Sequence, residues 1–589
     1  MPVDTTAAGT AREAPRGLQA PLRPWSSGWV LVGVGLPFGA LLADFMAVSV
    51  ALPALERATG ASFSQLLWVL EAYLLAFGAF LLASPLGRPH FSQAGAFLLG
   101  SAALAAGAGL AGAAPDLPVL IVARAIEGAG SAFVLSAGPL LLASAFGPGQ
   151  TGPDGGRGGA LPQAGASPGT SFVRLGLASW PVLAALSAAA APVVGGALTG
   201  ELGWRYLFYA EAAAGAAGTV ALALLALRSK AALVALRSKA AHFASAEAGP
   251  PDWKGASLLT AAVAIGVVGL VRTTYNLENW LSSGVVACLA CTGLLLVASV
   301  AQATATASPA LPAALFRRGS FVGACTAAFG LGMATMGLLP LLAFYLAYAL
   351  GYGPVGTGLR LLALSGMALP GVGLGALATK WLPVRQPPGR WLLAAGLALV
   401  AAGWWLSSQA RPSAGWGALW PGLVVAGAGY EMASARLVGA ATAGLPVEQA
   451  PLAARTASMT RQFGAASGVA LCASVFAAKL TSWLAQGLGP SARLSGEPPA
   501  LAALLLQGHL LQADHQAGAA VAKAALAAGL HEALLAGALV AAACALVALL
   551  AGSGSLGPLQ ALLPSATSTA HSPAAPTKHT EQVPPKVAE

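Results

Sequence analysis

Charge is what this sequence has least of. Asp, Glu, Lys and Arg together make up 8% of the 589 residues, where soluble domains carry about 25%. A soluble chain of this length would divide into several domains, and so few charges cannot coat their surfaces. A soluble globular protein is therefore excluded. Cysteine is scarce as well: Cys288, Cys291, Cys325, Cys472 and Cys544 all lie inside apolar segments, so they build no loop-closing disulfide framework. Cys288 and Cys291 have the spacing of a redox or zinc pair, but with no histidine or flanking cation beside them they read as packing residues. Basic stripes with interleaved aromatics are missing, which excludes nucleic acid as a partner in spite of a net charge of +10.

What is abundant is apolar surface. Hydrophobic residues are 57% of the chain, and with 74 glycines they come in blocks of about 18–28 residues broken by short charged interruptions, as bilayer-spanning helices require. Spans are predicted near residues 29–52, 66–86, 94–114, 118–145, 173–199, 204–227, 255–272, 280–302, 321–349, 354–378, 391–407, 416–441, 464–485 and 532–553. This is an all-α polytopic membrane protein with 14 spans. If the N-terminus is inside, the inner segments hold about 21 cations and the outer ones about seven, with Arg124 and Arg360 inside spans. That bias puts both termini in the cytoplasm and the chain in the cytoplasmic (inner) cell membrane.

Three stretches do not read as spans. Residues 147–172 are rich in Gly and Pro and predict a flexible inner loop. Residues 486–530 carry Ala and Leu broken by polar residues, and predict amphipathic helices on the outer surface. The tail beyond residue 553 has the composition of a disordered segment. Between spans 6 and 7, Arg228-Ser229-Lys230 recurs as Arg237-Ser238-Lys239 in a nine-residue tandem duplication. Nine residues turn a helix about two and a half times, so the copies face opposite sides and read as a solvated anchor.

Charges inside a bilayer are costly, so each should face a cavity or a partner. The candidates are Asp44, Glu71, Arg124, Glu127, Glu211, Arg360, Glu431 and Arg436. Carboxylates with nearby cations suit a protein that moves protons, because a small helix movement can load or release a proton where desolvation and an arginine oppose each other. The alternative is a static ion pair that closes the bundle. It is favoured for Glu211 and Arg436, which the span boundaries put near the interfaces, while function is favoured for Asp44 and Arg124. Two enzyme patterns are weak. His509 and Asp514 have the spacing of an acyltransferase pair but no companion block, and His531-Glu532 lacks the second histidine of a zinc protease helix.

Several local patterns, in order, resemble the major facilitator superfamily and its drug:H+ antiporter branch with 14 transmembrane spans. Asp44 followed by Val50-Ala51-Leu52-Pro53 is similar to that branch's first span, and Trp68 through Ala76, with Glu71 in place of a small residue, to its second. Leu120, Arg124, Glu127, Gly128 and Gly130 resemble the motif of span 4, where Glu127 stands at a usual glutamine. Trp204-Arg205-Tyr206, Asp252-Trp253-Lys254 and Arg461-Gln462-Phe463-Gly464 resemble the starts of spans 6, 7 and 13. Ala191-Pro192-Val193-Val194-Gly195-Gly196 is similar to the antiporter motif of span 5 in reduced form, with Ala178 and Ser187 at expected glycines. Close helix approach and a proline kink are what such a motif supplies.

The resemblance implies the major facilitator fold: two six-helix bundles at 29–227 and 304–553, two central helices at 254–303, a tail at 1–28, a basic linker at 228–253 and a tail at 554–589. It implies a proton-coupled antiporter that exports amphiphilic drugs or secondary metabolites by alternating access, a multidrug efflux and antibiotic resistance activity and not an enzyme. Proton coupling falls to Asp44, Glu71, Arg124 and Glu127. Trp68, Tyr73, Phe344, Tyr345, Tyr348, Tyr430 and Glu431 are candidates for the substrate cavity, since aromatic walls bind planar or cationic amphiphiles. Partners are then the small amphiphilic or aromatic substrate, protons and the lipid bilayer, with the chain a monomer. No cofactor and no metal are expected, the proton gradient being the energy source. One segment departs from the family. Leu86, Gly87 and Arg88 stand in the gating loop between spans 2 and 3, where an acid and several cations are usual, which leaves a transporter-like sensor or scaffold with little flux as the alternative.

Overall fold

A segment that crosses hydrocarbon must satisfy its own backbone groups, and among the described residues the chain does so with helices alone. The computed structural model describes residues 24–83, 93–146, 168–228, 252–275, 281–306, 313–381, 389–410, 415–446, 449–487 and 516–551. The gating loop with Leu86, Gly87 and Arg88, the tandem duplication beyond Arg228, the pair His509 and Asp514 and the C-terminal tail lie outside them.

Six helices form the first bundle: α1 (Pro24–Thr59), α2 (Phe63–Ala83), α3 (Gln93–Ala113), α4 (Leu117–Phe146), α5 (Pro168–Ala197) and α6 (Trp204–Arg228). Two follow, α7 (Trp253–Tyr275) and α8 (Ser283–Ala305). The second bundle begins with α9 (Gly319–Ala349), which carries π turns at Gly332–Met336 and Tyr345–Ala349. It continues with α10 (Pro354–Ser365), α11 (Ala368–Trp381), α12 (Gly389–Ser408), α13 (Trp416–Thr442), α14 (Ala450–Gly487) and α15 (Gln516–Ala551). The helices α10 and α11 make one span broken near Gly366. Among the described residues, thirteen helices are long and apolar enough to cross a membrane. The predicted span at 416–441, here α13, is not among them: it has the length but carries Glu431, Arg436 and a series of glycines, and packs inside the second bundle.

Glycine allows the backbones to approach closely in both bundles. A Cβ at Gly107 of α3 would fall 2.5 Å from the amide nitrogen of Glu127 in α4, and one at Gly429 of α13 would fall 2.5 Å from the carbonyl oxygen of Gly396 in α12. Small residues are the usual means by which membrane helices come together, because lipid supplies no hydrophobic drive between them. The bundles meet along three lines: α1 against α9, α2 against α14, and α5 against α10. The helix α7 lies along the seam against α2 and α14, and α8 packs on α7. Cys288 sits at the α7–α8 contact opposite Gly269, in a packing position.

Three boundaries correct the predicted spans. The first helix continues past residue 52 to Thr59, so Glu56 is helical and buried. The last two helices begin well before residues 464 and 532, at Ala450 and Gln516. Residues 516–530 are thus part of α15 and not a surface segment. Alanine has the highest helix propensity, so an Ala-rich stretch extends a helix beyond the bilayer thickness without a hydrophobic face, and here Ala522, Ala525, Leu526 and Leu530 are buried.

Candidate functional site

One guanidinium ties four helices together in the middle of the first bundle. Arg124 of α4 donates from Nη1 to Oδ1 of Asp44 at 2.6 Å and from Nη2 to Oδ2 at 2.7 Å, a two-pronged grip on α1. Nη1 also donates to Oε2 of Glu127 at 2.7 Å, one turn along the same helix, and Nε donates to the carbonyl oxygen of Val69 in α2 at 3.2 Å. The planar guanidinium lies 4.4 Å from the ring centroid of Tyr73 and 5.6 Å from that of Phe208 in α6. The Tyr73 hydroxyl donates to Ser131 Oγ at 3.1 Å. Gly128 makes the approach possible, since a Cβ there would collide with the Tyr73 carbonyl. Planarity and five fixed donors let arginine serve several acceptors and two ring faces at once.

A third carboxylate completes the group. Oxygens of Asp44, Glu127 and Glu211 all lie within 4.8 Å of one another, and the three side chains are buried. Such a set of oxygens could meet a metal ion, but Arg124 already stands among them and engages Asp44 through both oxygens. Glu211 is the residue that sequence reasoning put near an interface. The helix α6 instead turns it inward beside Phe208, one turn away. The signal available was its three-residue spacing from Phe208, the aromatic that faces Arg124.

Glu71 is apart from this group. It is 0% exposed, and neither carboxylate oxygen has a hydrogen-bond partner among the described residues. It lies two turns before Gly78, which packs against Phe463 of α14, so it stands on the side of α2 turned to the second bundle. Arg360 does not sit in mid-span either. It stacks on Tyr352, 3.3 Å from the ring centroid, and donates to the Gly356 carbonyl in the first turns of α10.

The residues that resemble the antiporter motif pack α5 closely against α1 and α10. Gly195 rests on Ala47 of α1, where an added Cβ would fall only 2.6 Å from the Ala47 Cα, and Gly196 rests on the Pro354 carbonyl of α10. The carbonyl of Pro192 fills the space over Gly358, and Ser365 Oγ donates to the Ala189 carbonyl at 2.9 Å. Ala191 is buried in the same turn. Nearby, Tyr348 donates to Oε2 of Glu56 and reaches the Pro53 carbonyl at 3.4 Å. Glu56 carried no expectation because its helix was predicted to end before it.

The predicted aromatic residues do not share one cavity. Tyr73 is enclosed with Arg124, and Phe344 and Tyr345 are core residues. Phe344 meets Phe63 edge-on at 5.1 Å and stacks on Tyr348 at 5.8 Å, at the seam between bundles. Tyr430 is buried in α13, Glu431 of the same helix interacts electrostatically with Arg461, and Trp68 is half-buried against the core. A cavity of about 510 Å³ lies between α1, α5 and α6 and is lined by none of these aromatics. His531 and Glu532, the remaining enzyme pattern, hold helices together: the His531 ring bonds the Ser408 carbonyl at 2.7 Å, and Glu532 pairs with Lys479 at 2.9 Å.

Comparison with known proteins is consistent across sequence and fold. A family model described as Major Facilitator Superfamily matches residues 38–469. The tetracenomycin C resistance and export protein of Streptomyces glaucescens is 25% identical over 476 residues, which are 80% of this chain and 79% of the relative. The puromycin resistance protein pur8 of Streptomyces alboniger is 29% identical over 489 residues, 80% of this chain and 86% of the relative. Among solved structures, a bacterial homolog of the human lysosomal transporter Spinster superposes with a TM-score of 0.54 at 14% identity, covering 90% of this chain and 98% of that one. The likeness in that case is of fold.

Proposed function

The chain belongs to the major facilitator superfamily, and on that premise we propose that it is a secondary active transporter that exports amphiphilic small molecules in exchange for protons. Its family and its relatives are transporters and not enzymes. One observation carries the reading: Arg124 and three carboxyl groups are buried together inside a largely apolar bundle. Burying charge in a membrane is expensive and marks ion or proton pathways by default. The relatives named for tetracenomycin C export and puromycin resistance support a small antibiotic-like cargo.

In this mechanism Asp44 takes a proton from the outer side, which loosens its grip on Arg124. The guanidinium then turns to Glu127 and Glu211, and α4 shifts against α1. A later return of Arg124 to Asp44 releases the proton inward. Glu71, on the face of α2 turned to the second bundle, is a further proton carrier in the same cycle. Alternating access opens the seam between bundles, and Trp68, Tyr73, Phe344, Tyr345, Tyr348, Tyr430 and Glu431 then contribute cavity wall on one side or the other. The proton gradient supplies the energy without a cofactor, both termini lie in the cytoplasm, and the transporter works as a monomer.

Everted membrane vesicles test this directly. Efflux of a panel of amphiphilic cations and aromatic natural products is recorded together with proton movement, for the wild type and for Asp44→Asn. The expected result is loss of proton-coupled efflux with normal membrane insertion. Wild-type flux from Asp44→Asn would overturn the assignment.

A further inference from the structure

On the side where α1 finishes, the seam between the bundles holds a run of aromatic rings. Tyr348 of α9 stacks on Phe344 at 5.8 Å, Phe344 meets Phe63 of α2 edge-on at 5.1 Å, and Phe63 lies 6.2 Å from Phe476 of α14. The run crosses from the second bundle to the first and back. Its first ring is fixed to α1 by the bond from the Tyr348 hydroxyl to Oε2 of Glu56. Phe63, Phe344 and Phe476 are buried, so apolar rings close this end of the seam beside one acidic group.

Glu56 is 2% exposed, and its other oxygen, Oε1, has no hydrogen-bond partner among the described residues. The titratable and charged groups that act on it there are Tyr348 of α9 and Arg57 of α1 itself. Arg57 is exposed and turns its Nε back to the Pro53 carbonyl at 3.1 Å, so it does not cap the bare oxygen. The neighbouring rings of Phe63 and Phe476 bring no charge from α2 or α14. A carboxylate buried with one oxygen bare costs far more than a carboxylic acid in the same place. A proton on Oε1 removes the charge and leaves Oε2 able to accept from Tyr348. Parting the bundles brings water to both oxygens, and the proton can then leave.

We propose that Glu56 is the proton-binding residue of a gate at this end of the seam: it carries a proton while the aromatic run is closed and gives it up to water when the bundles part. The closed form then binds one proton more than the open form, so acid favours closure and the gate loosens as the pH rises. Asp44 lies about three turns back along α1, held by Arg124, and is a separate station. The proposal deepens the proton-coupled reading by giving the seam a proton of its own, and rests on that reading only for the use of the gate in transport.

The test uses the purified full-length protein in nanodiscs of neutral lipid, with spin labels at the exposed positions Gln65 and Gly353 and distances recorded from acid to alkaline pH. In the wild type the ratio of long to short distances is expected to rise with pH, by up to about tenfold per pH unit. Glu56→Gln keeps an acceptor for Tyr348 but has no proton to lose, and is expected to hold the short distance throughout. Tyr348→Phe keeps the carboxyl group and loses the bond. It is expected to lengthen the distances while retaining the pH response, which separates the proton from the hydrogen bond. A wild-type distribution that does not change with pH overturns the proposal. So does a wild-type pH response in Glu56→Gln, which would place the titrating group at Asp44, Glu71, Glu127 or Glu211. Vesicle efflux separates the two readings. A seam that answers to pH through Glu56 in a protein without proton-coupled efflux refutes export and leaves the gate, whereas proton-coupled efflux with distances that ignore pH refutes the gate and leaves export.

Discussion

Tyr348 donates its hydroxyl to the carboxylate of Glu56 across the seam between the two bundles, joining residues 292 positions apart in the chain. The bond ties the end of α9 to the end of α1, and Glu56 is buried there. An intramolecular hydrogen bond contributes about 0.5–1.5 kcal/mol, so Tyr348→Phe should shift the balance of closed and open states at this end by about two- to tenfold. Spin labels at the exposed positions Gln65 and Gly353 report it. Longer distances are expected in Tyr348→Phe, and an unchanged distribution would refute a latch.

Arg124→Lys keeps the charge and loses the fork. A lysine ammonium can meet one carboxylate well but cannot hold both oxygens of Asp44, Glu127 and the Val69 carbonyl together, nor lie flat between Tyr73 and Phe208. Efflux is expected to fall at least tenfold. Arg124→Leu leaves buried carboxylates without their partner, a change that typically costs about 3–5 kcal/mol. Fluorescence-detected thermal melting should rank the wild type above Arg124→Lys, and Arg124→Leu last.

Gly358→Ala should force α10 away from α5. Its new Cβ would meet the carbonyl of Pro192, which is backbone and cannot step aside. Overpacking of this kind costs about 1–3 kcal/mol. A lower melting temperature and a proton leak through vesicles are expected. Gly353→Ala is the matched control, since a Cβ there meets nothing within 4 Å, and it should behave as wild type.

Glu71→Met should stabilise the protein. The native carboxyl group is buried without a hydrogen-bond partner, an arrangement that costs free energy in any packed interior, and methionine fills similar space without it. A higher melting temperature together with reduced proton-coupled efflux is expected, the trade-off of a functional site. A variant that is stabilised and transports normally would remove Glu71 from the proton path.

Apolar blocks, the charges within them and the run of local patterns were enough to derive the helices, their approximate limits and the presence of Asp44 and Arg124 inside spans. These are one-dimensional properties: a bilayer demands length and hydropathy of each span separately, and it makes any charge there conspicuous. Helix ends were less legible where Ala-rich sequence continues a helix past the membrane, as at Ala450 and Gln516.

Partnership is a different matter. Asp44 and Arg124 are 80 residues apart, and nothing in either span states that they meet, or that Tyr73 covers them. The inward turn of Glu211, the placing of Glu71 on the α2 face toward the second bundle, the collar of Pro192 over Gly358 and the link between Glu56 and Tyr348 depend on which faces of which helices pack together. The sequence alone determined where the apolar helices lie and which charges stand within them. Only the tertiary structure decided which of those charges share one site, because helix rotation and crossing are set by the small-residue contacts of the whole bundle.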